Sequence, residues 1–158
     1  MLEVKRALEK FAKNVVKFSR SNLTRKDKNV SKELYNSIGY DLRVHPKSFS
    51  LTFEMEEYGA YQDKGVSGVK KKYNTPFSYK SKMPPEKPIL DWINKRRLSL
   101  RDGKGSQKSL AFVIRRSIYN KGIKPSLFFT KPFEASFKHL PDGLVEAYGL
   151  TIDNILTK

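Results

Sequence analysis

Between Tyr40 and Glu56 the chain alternates apolar and polar residues on both sides of a proline, and this pattern limits the possible folds more than any other stretch. Tyr40, Leu42 and Val44 alternate with Asp41, Arg43 and His45. After the run His45-Pro46-Lys47-Ser48, the residues Phe49, Leu51, Phe53 and Met55 alternate with Ser50, Thr52, Glu54 and Glu56. Period-two alternation around a proline-containing turn predicts an antiparallel hairpin. One of its faces is buried, and the other is wet or paired with a partner.

Around this hairpin the apolar spacing changes from two to between three and four. Val4, Leu8, Phe11, Val15 and Phe18 predict an amphipathic helix over about residues 2–20, with Glu9 and Lys13 one turn apart on its surface. The polar residues 21–30 read as a loop. A short helix is expected next, with Ser31 as its N-cap, Leu34 and Ile38 stacked, and Gly39 ending it. Pro88 suits the first turn of a helix carrying Ile89, Leu90, Trp92 and Ile93, broken by the stretch around Gly103 and Gly105. Leu110, Ile114 and Ile118 predict another helix, with Gly122 as its C-cap. Leu127-Phe128-Phe129-Thr130 reads as a short buried strand. Pro132 opens a helix with Phe133 and Phe137 on one face, and Val145, Tyr148, Ile152 and Ile155 predict a last amphipathic helix. The expected class is α+β: a small antiparallel sheet (hairpin about 40–56 plus the strand about 127–130) packed with several helices.

At 158 residues the chain has the size of one domain. It holds no cysteine, which excludes thiol chemistry, Cys-ligated zinc and disulfides, and suits a reducing compartment. No apolar run reaches membrane-span length, and the N-terminus starts as a charged amphipathic pattern; neither a signal peptide nor an anchor is expected.

Charge is distributed unevenly. Residues 64–124 contain seventeen basic and three acidic side chains, so they carry +14 of the chain's +16. A positive field this concentrated attracts polyanions, in a salt-dependent way. Within it, residues 65–87 combine glycines, prolines, lysines and the aromatics Tyr73, Phe77 and Tyr79, and read as a long loop or arm. Interleaved bases and aromatics occur in single-strand binders. In the rival reading the aromatics pin the arm to the body or to a neighbouring subunit while the lysines stay solvated; the aromatics are read in that way, and the lysines as phosphate-backbone contacts. Lys70, Lys71, Lys72, Lys80 and Lys82 are the candidate contacts, joined by Arg96, Arg97 and Arg101, whose guanidiniums take phosphate or carboxylate in bidentate fashion. Arg115 and Arg116 add two more.

Catalytic chemistry is sparse. His45 and His139 lack metal-ligand partners at useful spacing. Glu54, Glu56, Glu57, Asp63 and Lys64 imitate a metal-dependent nuclease in composition. However, Glu54 and Glu56 fall on the polar face of the hairpin, and no acid-x-Lys strand motif accompanies them. Gly103-Lys104-Gly105 follows a helix and lacks the other glycines of a phosphate loop. No enzyme activity, cofactor or metal is expected.

Two segments carry a family resemblance. The run Tyr58-Gly59-Ala60-Tyr61-Gln62-Asp63-Lys64-Gly65-Val66 follows the hairpin directly, and Gly122-Ile123-Lys124-Pro125-Ser126-Leu127-Phe128-Phe129-Thr130-Lys131-Pro132-Phe133 lies far downstream. Together they resemble the head–tail joining or tail-completion (neck) proteins of long-tailed bacteriophages. In that family a hairpin runs into a short Tyr/Ala/Tyr helix ending in an acid-x-Gly turn, and a Pro-Phe motif opens a helix near the C-terminus. Leu34-Tyr35-Asn36-Ser37-Ile38 is similar to the short helix before the hairpin. Tyr58, Tyr61, Asp63 and Gly65 match the turn, and Pro132, Phe133 and Ala135 match the closing helix. The resemblance assigns Phe128, Phe129, Pro132 and Phe133 to the motif and its interfaces. The chain departs from the family in having Asp63 and Val66 where Glu and Thr are common. It also has residues 67–121 where compact relatives have a short loop.

The resemblance implies one domain, with a core of residues 1–66 and 122–158 and a basic insertion at 67–121. It further implies a homo-oligomeric ring, a hexamer or dodecamer, between portal or adaptor and tail-tube or terminator proteins, with packaged double-stranded DNA in its lumen. Such a protein sits in the virion and is assembled in the host bacterial cytoplasm, with no membrane. Two other readings stay open: a nonspecific DNA-binding protein of the nucleoid type, with no need of Phe128, Phe129 and Phe133 at an interface, and the nuclease.

Overall fold

The computed structural model describes residues 1–26, 32–101 and 103–150. The fold is α+β. The described residues form seven helices and one two-stranded antiparallel sheet, arranged in two compact units. Of the described residues, the first unit takes in 1–26, 33–56 and 127–150; the second takes in 32, 57–101 and 103–126.

In the first unit, helix α1 (Leu2–Arg25) buries Leu8, Phe11, Ala12, Val15, Ser19 and Leu23 along one stripe. The expected stripe ended at Phe18, but that ring is 49% exposed and carries Lys17 5.8 Å from its centroid. At 3.6 residues per turn the buried line after Val15 continues to Ser19 and Leu23, which leaves Phe18 on the flank. The expected loop at 21–30 is likewise helical as far as Arg25. Its polar side chains belong to the exposed face, where Thr24 Oγ1 donates to the Arg20 carbonyl and Arg25 to Asn22 Oδ1. The expected cap Ser31 lies outside the described residues.

Helix α2 (Glu33–Ser37) buries Leu34 and leads into the hairpin of β1 (Gly39–His45) and β2 (Ser48–Glu54). The register pairs Tyr40 with Phe53, Leu42 with Leu51 and Val44 with Phe49, so the apolar residues share a face, and Pro46-Lys47 form the turn. That face meets α1 and helix α6 (Thr130–Phe137). Phe11 stands edge-on to Phe133 at 5.3 Å, and Phe53 edge-on to Phe129 at 5.3 Å. A second cluster gathers Leu23, Leu34, Ile38 and Phe128.

Residues 127–130 are not a strand. Leu127 has φ 54°, outside the extended region, and the Lys131 amide already donates to the Leu127 carbonyl at 3.2 Å as α6 begins. A four-residue apolar run fits a buried helix entry as well as a buried strand. Helix α7 (Asp142–Tyr148) ends at Gly149 in the left-handed region; Ile152 and Ile155, expected on the same helix, lie outside the described residues.

In the second unit, α3 (Tyr58–Lys64) follows the hairpin. Helices α4 (Glu86–Arg96) and α5 (Gln107–Lys121) pack through Ile89, Ile93 and Ala111, with Leu90, Leu110, Ile114 and Ile118 around them. Ser106 caps α5 by accepting from the Ser109 amide. Trp92 lies outside this cluster and is 40% exposed.

Candidate nucleic-acid interface

The lysine-rich arm is a closed, hydrogen-bonded loop built on one serine. Ser67, 4% exposed, donates its amide to the Phe77 carbonyl, and its own carbonyl accepts from the Tyr79 amide, both at 2.9 Å. Its hydroxyl donates to the Tyr73 carbonyl at 3.1 Å and accepts from the Tyr73 amide at 2.9 Å. Thr75 Oγ1 ties the loop again, to the Gly65 carbonyl at 3.0 Å. Residues 67–79 thus form a compact surface loop with adjoining ends, the geometry of an Ω-loop.

The aromatics fasten this loop. Phe77 meets Tyr61 of α3 edge-on at 4.7 Å, and Tyr79 lies 6.4 Å from Tyr119 of α5. Burial, with the Tyr61 phenol second, pushes the Tyr79 hydroxyl above its ordinary pKa. The Tyr119 hydroxyl donates to the Lys80 carbonyl at 2.7 Å. These contacts agree with the pinning role for Phe77 and Tyr79. Tyr73 is half-buried, with the Lys71 ammonium 5.5 Å from its ring centroid.

Lys70, Lys71 and Lys72 form the exposed tip. Their segment is laid on the C-terminal end of α5: the Val69 amide donates to the Tyr119 carbonyl, and the Lys70 and Lys71 amides to the Asn120 carbonyl, at 2.9–3.1 Å. These bonds satisfy carbonyls that a helix end leaves open. They also place three cations, with Lys121, at the negative pole of the helix, a placement worth about 0.3–1 kcal/mol per charge at low salt. Gly68 permits the approach, since a Cβ there would overlap the Asn120 carbonyl and the Gly122 amide.

The remaining basic candidates divide between two ends. The start of α5 meets the end of α4, where Gln107 Nε2 donates to Asn94 Oδ1 at 2.6 Å. Midway along α5, Arg115 reaches the start of α4, donating to the Pro84 carbonyl at 2.7 Å and lying 3.7 Å from Glu86. The two helices are therefore antiparallel. Lys70, Lys71, Lys72 and Lys80 gather at one end, while Arg97, at the C-cap of α4 with φ 52°, and Arg101 sit in the connection at the other. Thirteen residues of α5 separate the ends by about 20 Å. Arg96 is half-buried in the last turn of α4, Lys82 is exposed between Lys80 and Pro84, and Arg116 is exposed on α5. Arg115, in contrast, is a structural tie rather than a free contact.

The motif residues separate in a similar way. Tyr58 and Tyr61 are 40% and 38% exposed, and Asp63 is buried at the end of α3. Gly65 closes that helix with φ 74°, and a Cβ there would stand 2.5 Å from the Ile123 carbonyl oxygen. Val66 and Ile123 exchange backbone hydrogen bonds at 2.9 and 2.8 Å, joining the two motif segments within the second unit. Phe128 and Phe133 are 0% and 1% exposed, and Pro132 is buried. They hold the first unit's own core, so the interface expected of them is not on its surface. Phe129 is half-buried against Phe53.

Sequence reasoning missed Ser67 and Thr75, because hydrogen bonds that close a loop leave no periodic signal. Among the described residues there is no group of three or more His, Asp or Glu side chains that could hold a metal ion, and His45 and His139 are exposed. No helix of the described residues is long and apolar enough to cross a membrane. The chain matches no protein-family model, no curated protein and no solved structure in the comparisons made.

Proposed function

We propose that the chain is a structural, non-catalytic subunit of the neck of a long-tailed bacteriophage. In this reading it closes into a hexameric or dodecameric ring between portal or adaptor and tail-tube or terminator proteins, and presents its basic second unit to double-stranded DNA or to acidic neighbours. The observation that carries the reading is the Lys70–Lys72 tip: exposed, concentrated, and held in place by backbone bonds to α5 and by Ser67. A cation cluster whose backbone is already ordered meets phosphates without first paying to order a flexible arm. The order of elements supports the family resemblance: a hairpin, then α3 with its Gly65 turn, then α6 opened by Pro132-Phe133.

The two cationic ends, about 20 Å apart, span the axial length of roughly six base pairs, and contacts of this kind position a duplex without reading its sequence. Multiplied around a closed ring, they give a positive collar.

The experiment is Lys70→Gln/Lys71→Gln/Lys72→Gln in the phage. Loss of infectivity through failed head–tail joining or leaked DNA is expected, with the isolated protein still folded and destabilised by no more than about 1–3 kcal/mol, the helix-dipole contribution of three cations at low salt. Unchanged infectivity overturns the reading. One observation favours a nucleoid-type DNA-binding protein as a second reading: Phe128 and Phe133 are consumed by the core and demand no neighbour. That protein would coat DNA in lysates and be missing from virions.

A further inference from the structure

A second basic feature lies in the first unit and takes no part in the loop just described. One face of α1 supplies Lys13, Val16, Lys17 and Arg20 to an open cleft of about 300 Å³, and Tyr35 of α2 and Tyr40 of β1 close it. Among the described residues no carboxylate lines it. Lys13, Lys17 and Arg20 follow one another at helical spacing, so three like charges stand on adjacent turns, an arrangement that is mutually repulsive until an anion joins it.

Arg20 is fixed in place. Its Nη2 donates to the Ile38 carbonyl at 2.7 Å, and its guanidinium carbon lies 5.3 Å from the centroid of the Tyr35 ring. Its Nε–H is buried and has no acceptor among the described residues. A buried donor without a partner is the exception in folded proteins, and here it belongs to a side chain that lines a cationic cleft.

We propose that this cleft binds a phosphomonoester carried on a nucleotide. The charge selects the ligand. A carboxylate brings one negative charge to three cations, whereas a phosphomonoester brings about −1.5 to −2 at neutral pH and three acceptor oxygens. Lys13 and Lys17 take those oxygens as mobile point charges, and the Arg20 guanidinium, held by the Ile38 carbonyl and the Tyr35 ring, adds a charge fixed in position. Val16 and the rings of Tyr35 and Tyr40 offer apolar surface to the base. The volume sits at the low end of small-ligand sites and fits one nucleotide. The same chemistry comes from two sources: a free nucleoside monophosphate, or the 5′-phosphorylated end of a DNA strand, for which the open mouth leaves room.

Calorimetric titration of the full chain with AMP, adenosine, and a short single strand bearing either a 5′-phosphate or a 5′-hydroxyl tests the assignment. Lys13 and Lys17 are exposed, so Lys13→Gln/Lys17→Gln leaves the fold intact. AMP is expected to bind at least about tenfold more tightly than adenosine, and the double variant to lose that advantage. Lys70→Gln/Lys71→Gln/Lys72→Gln should leave AMP binding unchanged. A preference for the 5′-phosphorylated strand, lost in the double variant, assigns the strand end; AMP binding without that preference assigns the free nucleotide. The proposal is overturned if AMP binds no better than adenosine, or equally well to the double variant. It is also overturned if a glutamate-rich peptide occupies the cleft and AMP does not, which makes the cleft a surface for acidic protein.

Discussion

Ser67 holds Tyr73 twice: its hydroxyl donates to the Tyr73 carbonyl at 3.1 Å and accepts from the Tyr73 amide at 2.9 Å. Between these two residues lies the whole lysine tip. The pair closes the loop at its base, and the α5 carbonyls hold its far side. Ser67→Ala removes both bonds; the Tyr73 carbonyl keeps the Thr75 amide at 3.0 Å, but the part-buried Tyr73 amide loses its partner, a loss of about 1 kcal/mol. Hydrogen exchange should quicken at residues 69–79, and DNA binding should weaken although no charge has changed. Unaltered exchange there would mean that the loop is held by other contacts.

In the proposed function the tip contacts phosphates through charge alone, and its contribution should then appear in the salt dependence. Each phosphate contact on B-DNA adds about −0.9 to the slope of log K against log salt. Lys70→Gln/Lys71→Gln/Lys72→Gln should flatten that slope by up to about 2.7, equally for unrelated duplex sequences. Substituting Arg97 and Arg101 at the other end of α4 should flatten it independently, because about 20 Å separates the two groups.

Phe133 joins α6 to α1 and the hairpin, with Phe11 at 5.3 Å and Phe53 at 6.0 Å, and is almost wholly buried. Phe133→Ala opens a cavity where the three elements meet and should cost about 3–5 kcal/mol in denaturant titration. Phe112→Ala on α5, 51% exposed, should fall within about 0.5 kcal/mol of the parent.

How legible these features were depended on the physics behind each. The hairpin could be read residue by residue, because one wet and one covered face impose alternation along both strands. Gly122 could be placed at the end of α5, since that stop needs a positive φ, whereas the stop of α3 at Gly65 came only from the family resemblance. Residues 21–25 could not be recognised as helix, because their polarity reflects exposure and a single buried Leu23 carries the stripe. The Leu127–Thr130 run gave length and apolarity but no period, and its turn into α6 depends on tertiary packing around Phe128. In the candidate site, charge density along the chain located the basic segment. Its division into two ends follows from the antiparallel pairing of α4 and α5, which contact-forming residues such as Arg115 and Gln107 reveal only in three dimensions.

Burial raises the Tyr79 pKa in the folded chain, so the native state keeps the phenolic proton longer than the unfolded state, which releases it near pH 10. Below that value both states keep the proton, and the stability is fully present and independent of pH. Above it the unfolded state binds fewer protons, and stability falls as pH rises through the folded pKa. Tyr79→Phe removes this titration. Denaturation midpoints of the two proteins should therefore differ by a constant below about pH 9 and shift in favour of the variant as pH climbs past about 10.

Under the proposed function a phage encodes this chain, and quantitative mass spectrometry of that phage's purified virions tests the central claim most directly. A ring at the neck requires between roughly six and twelve copies per particle, constant from one preparation to the next. Absence from intact virions, with abundance in infected-cell lysate, would contradict the neck assignment and leave a DNA-binding protein that acts before assembly.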